Sequence, residues 1–161
     1  MGAPQQAWQA RVRTPFAVLG IAANDSHVTG VRYLAPGIEP MAPKKNTVAY
    51  LACVQIQAYL DDPTFVFDLP LRLSGTHHRV RVWEAMQRIA AGKTRTYGEL
   101  AKELGSSPRA VGGACGANPL PLIVPCHRVV AATDIGGFMG RREEGFERSI
   151  KRWLLEHEGA L

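Results

Sequence analysis

Two short apolar runs stand near the start of the chain, and a polar cluster separates them. The runs cover residues 16–23 and 28–35, with Asn24-Asp25-Ser26 between them. Because Asn, Asp and Ser favour tight turns, this pattern predicts a β-hairpin. Three prolines within residues 36–45 then indicate a loop.

The residues after this loop change from helical to alternating periodicity. Between Thr47 and Asp62 the spacing is near-helical, and Pro63 ends the pattern. Residues 65–73 alternate and predict a third strand. These elements predict a small sheet with one helix packed on it, and Cys53 as a core thiol. The predicted buried face of the helix comprises Val48, Leu51, Ala52, Gln55 and Tyr59.

Helical patterns dominate the second half of the chain. A helix is predicted within residues 79–92, followed by one at 97–104 that Gly105 ends. Ser107-Pro108 is typical of a helix start, so a third helix is predicted at 108–117. The last two helices form a candidate helix-turn-helix. The first helix ends at Gly92 in this interpretation, and its buried face comprises Val82, Trp83, Met86, Ile89 and Ala90.

The helix at residues 108–117 has unusually small side chains. A glycine inside a helix costs about 1 kcal/mol relative to alanine, so something must approach this backbone closely. Tight packing against a neighbouring helix is one explanation. The other is a helix in a narrow groove of DNA, with Arg109 as its one long basic side chain. The small residues are Ala110, Gly112, Gly113, Ala114, Gly116 and Ala117.

The composition is that of a globular chain with a basic surplus. Of the 161 residues, 46% are hydrophobic and 20% charged, with 19 Lys and Arg against 14 Asp and Glu. Arg79 to Arg128 hold 8 basic and 3 acidic side chains, a net charge equal to the +5 of the whole chain. A solvated basic face and a binding site for a polyanion both fit this distribution.

The apolar runs, the N-terminal residues and the number of cysteines exclude several classes of protein. No apolar run approaches the roughly 20 residues that a membrane helix needs. Residues 1–9 lack the basic and apolar stretches of an export signal. An odd number of cysteines, three, argues against a disulfide framework. We therefore expect a cytoplasmic protein in a reducing environment, with no membrane partner.

The segment that indicates chemistry is Pro125-Cys126-His127-Arg128. A free thiol is only a few per cent ionised at neutral pH, so a nucleophilic cysteine needs a base or a positive charge nearby. His127 and Arg128 supply both kinds of group. An isolated cysteine is more often a buried structural thiol. Its neighbours here favour a nucleophile.

Four motifs of this chain resemble, in order and spacing, those of the O6-alkylguanine-DNA alkyltransferases. The resemblance extends from about Val82 to the C-terminus and is loose over the first 75 residues. It implies a mixed α/β (α+β) fold. Residues 1–75 would form a ribonuclease-H-like domain, and residues 76–161 a mainly helical DNA-binding and alkyl-transfer domain with a winged helix-turn-helix. The motifs are Thr96-Tyr97-Gly98-Glu99-Leu100-Ala101, Arg109-Ala110-Val111-Gly112-Gly113-Ala114 with Asn118-Pro119, Pro125-Cys126-His127-Arg128-Val129, and Trp153-Leu154-Leu155-Glu156-His157-Glu158-Gly159.

The resemblance also implies a reaction and its residues. Cys126 would take an alkyl group from O6 of guanine, with O4 of thymine as a further candidate, once per molecule and irreversibly. His127 would remove the thiol proton through a bound water, and Glu158 would orient His127. Tyr97 would donate a proton or hydrogen bond to the departing guanine. Asn118 would tie the turn after the recognition helix to the active-site segment. No cofactor is implied.

Double-stranded DNA is the partner that the resemblance implies, bound through the minor groove by a monomer. Arg109 would fill the space of a nucleotide flipped out of the duplex, with Tyr97, Ala110 and Gly113 at the same surface. Arg128 would either form a structural ion pair or approach the phosphates. The substrate pocket would be lined by Cys115, Pro121, Phe138 and Met139.

Two segments depart from the family pattern. Phe138 replaces the usual tyrosine, so base contacts there would use backbone groups. Residues 141–150 form a longer and more charged link to the last helix than is usual. Members that bind zinc use N-terminal cysteines, and none precedes Cys53. We expect no metal site and interpret the remaining histidines as surface or packing residues, namely His27, His77 and His78.

Two other functions stay open as alternatives. One is a damage-binding module without chemistry, like the alkyltransferase-like proteins, which share the fold but lack the reactive cysteine. The presence of Cys126 argues against it. The other is a thiol hydrolase that uses Cys126 with a distant histidine, which would leave the DNA-facing motifs unexplained.

Overall fold

The structure is a computed structural model, and it describes residues 7–161. Residues 1–6 lie outside the described residues. They make up most of residues 1–9, where the sequence shows no export signal. The chain divides after Leu73 into two compact units. In the described part of the chain, no helix has the length and apolar character needed to span a membrane.

The first unit is a three-stranded antiparallel sheet with one helix. The strands are β1 (Ala10–Arg13), β2 (Val18–Ala23) and β3 (Val28–Leu34), in the order β1-β2-β3. The predicted hairpin is confirmed as β2–β3. At its turn the Asn24 side-chain oxygen accepts backbone hydrogen bonds from Ser26 at 2.9 Å and His27 at 2.7 Å.

The third strand lies elsewhere than predicted. Residues 65–73 are not a strand: they touch the sheet at one parallel bridge between Val28 and Leu71. Pro70 has no N–H to continue a ladder there, and Val66 is 80% exposed. The sheet is completed instead by β1, where the alternation is too short to stand out in the sequence.

Helix α1 (Val48–Asp61) is confirmed, but its buried face is rotated from the predicted one. Thr47 caps it by accepting a hydrogen bond from the Tyr50 N–H at 3.1 Å. Leu51 is 42% exposed. Cys53 is half-buried rather than a core residue, and that burial raises its pKa to about 11. The buried face comprises Ala49, Ala52, Ile56 and Tyr59.

The second unit contains four helices and a pair of two-residue strands within the described residues. The helices are α2 (His77–Gln87), α3 (Tyr97–Leu104), α4 (Pro108–Gly116) and α5 (Phe146–His157). Strands β4 (Arg95–Thr96) and β5 (Val129–Val130) pair in parallel, and a 3₁₀ turn (Cys126–Arg128) directly precedes β5. With the first unit, this gives the mixed α/β fold expected from the sequence.

The helix-turn-helix is confirmed as α3 and α4. Thr96 and Glu99 form a capping box at the start of α3, and Gly105 ends it in the left-handed conformation at φ +64°. Ser107 caps α4, with Pro108 at its first turn. The local signals were sufficient here because each helix end is fixed by its own cap.

Two other helix boundaries differ from the sequence expectation. Helix α2 begins at His77, since Thr76 caps it, and its C-cap is Arg88, so Gly92 belongs to the following turn. Helix α5 begins at Phe146, so half of the supposed link at residues 141–150 is helical. The extra charged link is therefore residues 141–145.

Helix α4 uses its small residues on two different sides. Val111 and Ala114 are buried, and the Trp83 indole N–H donates to the Ala114 carbonyl at 2.8 Å. A side chain added at Gly112 or Gly113 would meet nothing within 4 Å. Close helix packing therefore accounts for one side, and the other side is an open surface.

Candidate active site

The β4–β5 pair brings distant parts of the chain to one site. Arg95 pairs with Val129 and Thr96 with Val130. Tyr97 directly follows β4, and the turn Cys126–Arg128 directly precedes β5. A two-residue strand spans only about 7 Å, so both flanking segments stay close to the pair. Tyr97 and Cys126 accordingly line the same cleft.

This cleft has a volume of about 1100 Å³ and is open to solvent. It contains most of the residues for which the sequence predicted a role in binding or pocket formation. Pro121, Ala110 and Arg128 are exceptions: Pro121 is buried and bridges to Val124, Ala110 is exposed on α4, and Arg128 pairs with Glu158 outside the cleft. The predicted residues that do line the cleft are Tyr97, Arg109, Gly113, Cys115, Cys126, Phe138 and Met139.

The Cys126 thiol is buried, with 2% of the residue exposed. Burial raises its pKa to about 11, while a hydrogen bond from Asn118 and the positive charge of Lys151 act in the opposite direction. Such a thiol is neutral at physiological pH and needs a base before it can attack. Cys115 also lines the cleft, and burial raises its pKa as well.

His127 and Glu158 form a fully buried pair. The His127 Nε2 and Glu158 Oε2 atoms are 2.8 Å apart, and both side chains are 0% exposed. A carboxylate only accepts hydrogen bonds, so we assign the ring hydrogen to Nε2. Nδ1 then keeps a lone pair, and it has no hydrogen-bond partner among the described residues. Burial lowers the pKa of His127 despite Glu158, which leaves a neutral ring able to take a proton.

Arg128 makes the ion pair that was one of its two predicted roles. Its Nε donates to Glu158 Oε1 at 2.9 Å and its Nη2 to Oε2 at 3.0 Å. Its Nη1 donates to the Ile89 carbonyl at 2.6 Å. All three guanidinium nitrogens are therefore used within the unit, and they hold the Glu158 carboxylate in one orientation.

Asn118 connects the end of α4 to the segment before Cys126. Its amide nitrogen donates to the Val124 carbonyl, and its side-chain oxygen accepts from the Leu120 N–H, each at 2.9 Å. The residue is 4% exposed. This is the geometry implied for a hinge asparagine, and its hydrogen bond to the thiol adds an effect on Cys126.

Lys151 is a site residue that the sequence reasoning missed. It is 0% exposed, and its ammonium donates to the carbonyls of Val129 at 2.7 Å and Gly137 at 2.8 Å. The Tyr97 hydroxyl lies 3.5 Å from Nζ. Burial lowers the pKa of Lys151 to about 8. The available signal was its position on the apolar face of α5, in helical register with Leu155 and Glu158.

Tyr97 is held protonated by its surroundings. Burial raises its pKa, and its hydroxyl donates to the Gly137 carbonyl at 3.4 Å. With Lys151 beside it, this hydroxyl can pass a proton to an atom in the cleft and regain one from the ammonium group. The Gly137 carbonyl already accepts hydrogen bonds from both Tyr97 and Lys151, so its hydrogen-bonding capacity is used within the protein.

A tight hairpin closes one side of the cleft at residues 138–141. Phe138 and Arg141 exchange two backbone hydrogen bonds of 2.7 and 2.9 Å. Met139 and Gly140 occupy the turn with φ of +50° and +79°, as in hairpins of the I′ type. Phe138 is 4% exposed, so its ring packs inward.

No group of three or more His, Cys, Asp or Glu side chains that could hold a metal ion occurs in residues 7–161. His27 contacts the Ser26 hydroxyl, and His78 contacts that of Ser106, each at 2.7 Å. His77 lies exposed at the start of α2.

A helix-turn-helix and a buried cysteine with its own histidine–carboxylate pair therefore share one cleft. This combination defines a class: nucleic-acid-binding proteins with a cysteine nucleophile. Comparisons with known proteins give the family within that class. Residues 77–160 match the model of the 6-O-methylguanine DNA methyltransferase, DNA binding domain.

Relatives and solved structures agree with this match. A Thermus thermophilus protein named DNA base-flipping protein is 43% identical over 137 residues, which cover 82% of this chain and 88% of that protein. A methylated-DNA–protein-cysteine methyltransferase of Mycobacterium tuberculosis is 39% identical over 153 residues, covering 91% and 89%. The crystal structure of Mycobacterium tuberculosis OGT in complex with DNA covers 92% of this chain and 90% of its own, at 37% identity and a TM-score of 0.77. The chain belongs to the 6-O-methylguanine DNA methyltransferase family.

Proposed function

We propose that this protein repairs alkylated DNA by direct reversal, moving the alkyl group from O6 of guanine to the sulfur of its own Cys126. The observation that carries the proposal is a buried thiol, Cys126, in a cleft that the recognition helix α4 borders, with the fully buried pair of the adjacent His127 and Glu158 behind it. A DNA partner follows from the family.

The first step is removal of the thiol proton. His127 is adjacent to Cys126 in sequence and offers the lone pair of Nδ1, which a bridging water would connect to the thiol. Glu158 stabilises the imidazolium that forms, and Arg128 keeps Glu158 ionised and oriented. A thiolate with raised proton affinity is a strong nucleophile once formed.

The second step breaks the bond between O6 and the alkyl carbon. The Cys126 sulfur supplies the electron pair for a new S–C bond, and the guanine leaves with the electron pair of the old C–O bond. Tyr97 donates a proton to the departing base, and Lys151 restores it. The product is a thioether and an intact guanine. A thioether is chemically stable to hydrolysis, so each molecule reacts once.

The target base must leave the duplex, because O6 lies on the major-groove edge of the base pair, out of reach of a thiol that approaches from the minor groove. Arg109 lines the cleft at the exposed start of α4, in a position to occupy the space left by the base. The open face at Gly112 and Gly113 lets a duplex approach through its minor groove. The name of the Thermus thermophilus relative supports base flipping. We propose that the protein acts as a monomer.

A damage-binding module without catalysis is the competing function. That function has no use for a thiol with a buried base beside it, whereas a histidine–carboxylate pair of 2.8 Å is what proton removal needs. The two possibilities differ in one measurable quantity, the mass of the protein after contact with damaged DNA.

The test is incubation with duplex DNA that carries one O6-methylguanine, followed by intact-mass and peptide mass measurement. We expect one methyl group per protein molecule, in stoichiometric amount, on Cys126. Cys115→Ser, which removes the other thiol of the cleft, is the matched control and should still be methylated. Full methylation of Cys126→Ser would refute the mechanism.

The flipping role is tested with Arg109→Ala. We expect weakened repair of duplex DNA and a much milder loss with the free base O6-methylguanine, which needs no extrusion. Equal losses with both substrates would refute this role.

A further inference from the structure

A second group of arginines lines the cleft, on the side opposite the start of α4. Arg141 is the last residue of the hairpin, Arg142 directly follows it, and both are exposed. Arg109 lines the same cleft from α4. Asp134 is the one acidic residue among the described residues that line it. The rim of the cleft is therefore positive on two separate segments.

The hairpin fixes the backbone at which these two arginines begin. The hairpin has two backbone hydrogen bonds of its own. The two residues before it are also fixed: Lys151 donates to the Gly137 carbonyl at 2.8 Å, and Arg148 Nε donates to the Gly136 carbonyl at 3.0 Å. A Cβ built on Gly116 at the end of α4 would lie 3.3 Å from Gly140. The hairpin thus abuts α4 at the end opposite Arg109.

Local carboxylates do not neutralise this pair. Glu144 pairs with Arg148 and Arg152 instead. Glu143 lies 3.8 Å from Arg141, with side chains 68% and 63% exposed, so water and salt screen this pair and it neutralises the arginine only weakly. Among the described residues, no carboxylate lies within ion-pair distance of Arg142. The positive charge of Arg142 instead acts on the Tyr97 hydroxyl inside the cleft, where it opposes the rise in the tyrosine pKa.

We infer that Arg141 and Arg142 bind backbone phosphates of the DNA, so that the duplex is held on both sides of the flipped nucleotide. The inference rests on the proposed function, in that DNA occupies the cleft. Seven residues of helix, about 10 Å, separate Arg109 from the end of α4 that the hairpin meets. Measured along the axis of the duplex, that distance corresponds to the rise of about three base pairs. Guanidinium groups suit this role, since each can hold a phosphate through two hydrogen bonds.

The test compares two double variants that remove the same charge. Arg141→Ala with Arg142→Ala removes the proposed phosphate-binding groups, and Arg13→Ala with Arg32→Ala removes two exposed arginines of the first unit. Binding of an unmodified duplex is measured over a range of salt concentrations, so the readout is independent of alkyl transfer. Thermal unfolding midpoints establish that both variants are folded.

We expect the Arg141/Arg142 variant to reduce the slope of log K against log salt by about 0.9 for each arginine–phosphate interaction that the substitutions remove. At 0.1 M salt this corresponds to about eightfold weaker binding for each such interaction. The control pair should leave slope and affinity close to those of the wild type. Wild-type slope in the Arg141/Arg142 variant, or equal losses in both variants, would overturn the inference. Failure of the wild type to be methylated would overturn the proposed function but leave this comparison valid.

Discussion

Arg128 donates hydrogen bonds to both carboxylate oxygens of Glu158, at 2.9 Å to Oε1 and 3.0 Å to Oε2. The Oε2 atom also meets His127 at 2.8 Å. The carboxylate is thus shared between a permanent cation and a neutral imidazole, and it is fully buried. Because the arginine compensates its charge, Glu158 can stay ionised in the interior and orient the base beside Cys126.

Removal of this arginine should destabilise the protein. In Arg128→Leu, Glu158 would stay buried while the cation that compensates its charge is removed, and we expect a loss of about 3–5 kcal/mol in the free energy of unfolding. Arg95→Leu is the control, since Arg95 faces Glu99 at 3.8 Å and is 34% exposed. Arg95 also faces Glu103 at 3.8 Å, and because both of its partners are solvent-exposed, that substitution should cost much less than Arg128→Leu. Urea unfolding measures both, and equal costs would contradict a structural role for the buried pair.

Replacement of Glu158 by glutamine should slow alkyl transfer and spare DNA binding. The amide preserves the shape but removes the charge that raises the proton affinity of His127. Single-turnover rates and the affinity for unmodified duplex are the two measurements. The side chain is 0% exposed, so DNA does not touch it. An unchanged rate would remove Glu158 from the proton relay.

The buried histidine also predicts a pH dependence of stability. Its pKa in the folded protein lies below the value of 6.5 that an unperturbed histidine has. The unfolded chain therefore takes up a proton first as the pH falls below 6.5, and the stabilisation present above that pH is lost progressively. In His127→Gln this loss should be absent. Urea unfolding at pH 7.5 and pH 5 compares the two proteins, and parallel losses would contradict the assignment of a neutral ring.

At Gly113 a small added side chain should stabilise the protein, whereas a large one should weaken DNA binding. A Cβ there meets nothing within 4 Å, so Gly113→Ala should raise the free energy of unfolding by about 0.5–1 kcal/mol through helix propensity. Gly113→Leu should remain folded but bind duplex DNA more weakly, because its side chain occupies the surface that approaches the groove. Binding as tight as that of the alanine variant would place the DNA elsewhere.

Lys151 predicts a second pH effect, of the same sign. Burial lowers its pKa from 10.5 to about 8, so between these values the unfolded chain binds a proton that the folded chain does not. Stability of the wild type relative to Lys151→Met should therefore rise with pH across this window, by up to about 1.4 kcal/mol per unit. Unfolding at pH 7.5 and pH 9 measures the difference. If the difference in stability between the two proteins does not change with pH, the ammonium group is not desolvated.

Parts of the fold followed directly from local sequence. Helices α3 and α4 have their own caps at Thr96, Gly105 and Ser107, and the β2–β3 hairpin has its Asx turn. The third strand was misplaced, since an alternating run such as residues 65–73 pairs only if a partner with free hydrogen-bonding groups lies beside it. The choice of β1 depended on contacts far along the chain.

For the site, the sequence by itself determined that Cys126 and His127 are adjacent candidates for nucleophile and base, where the recognition helix lies and, through its motifs, the family. These features depend on residue identity and short spacing, which a linear pattern preserves. Only the tertiary structure decided that Lys151 is buried beside Tyr97 and that Arg128 is committed to Glu158. A lone charge in a helix pattern is ordinarily solvated. Whether it is buried depends on which carbonyls and carboxylates distant segments bring within hydrogen-bond reach, and that information exists only in the folded chain.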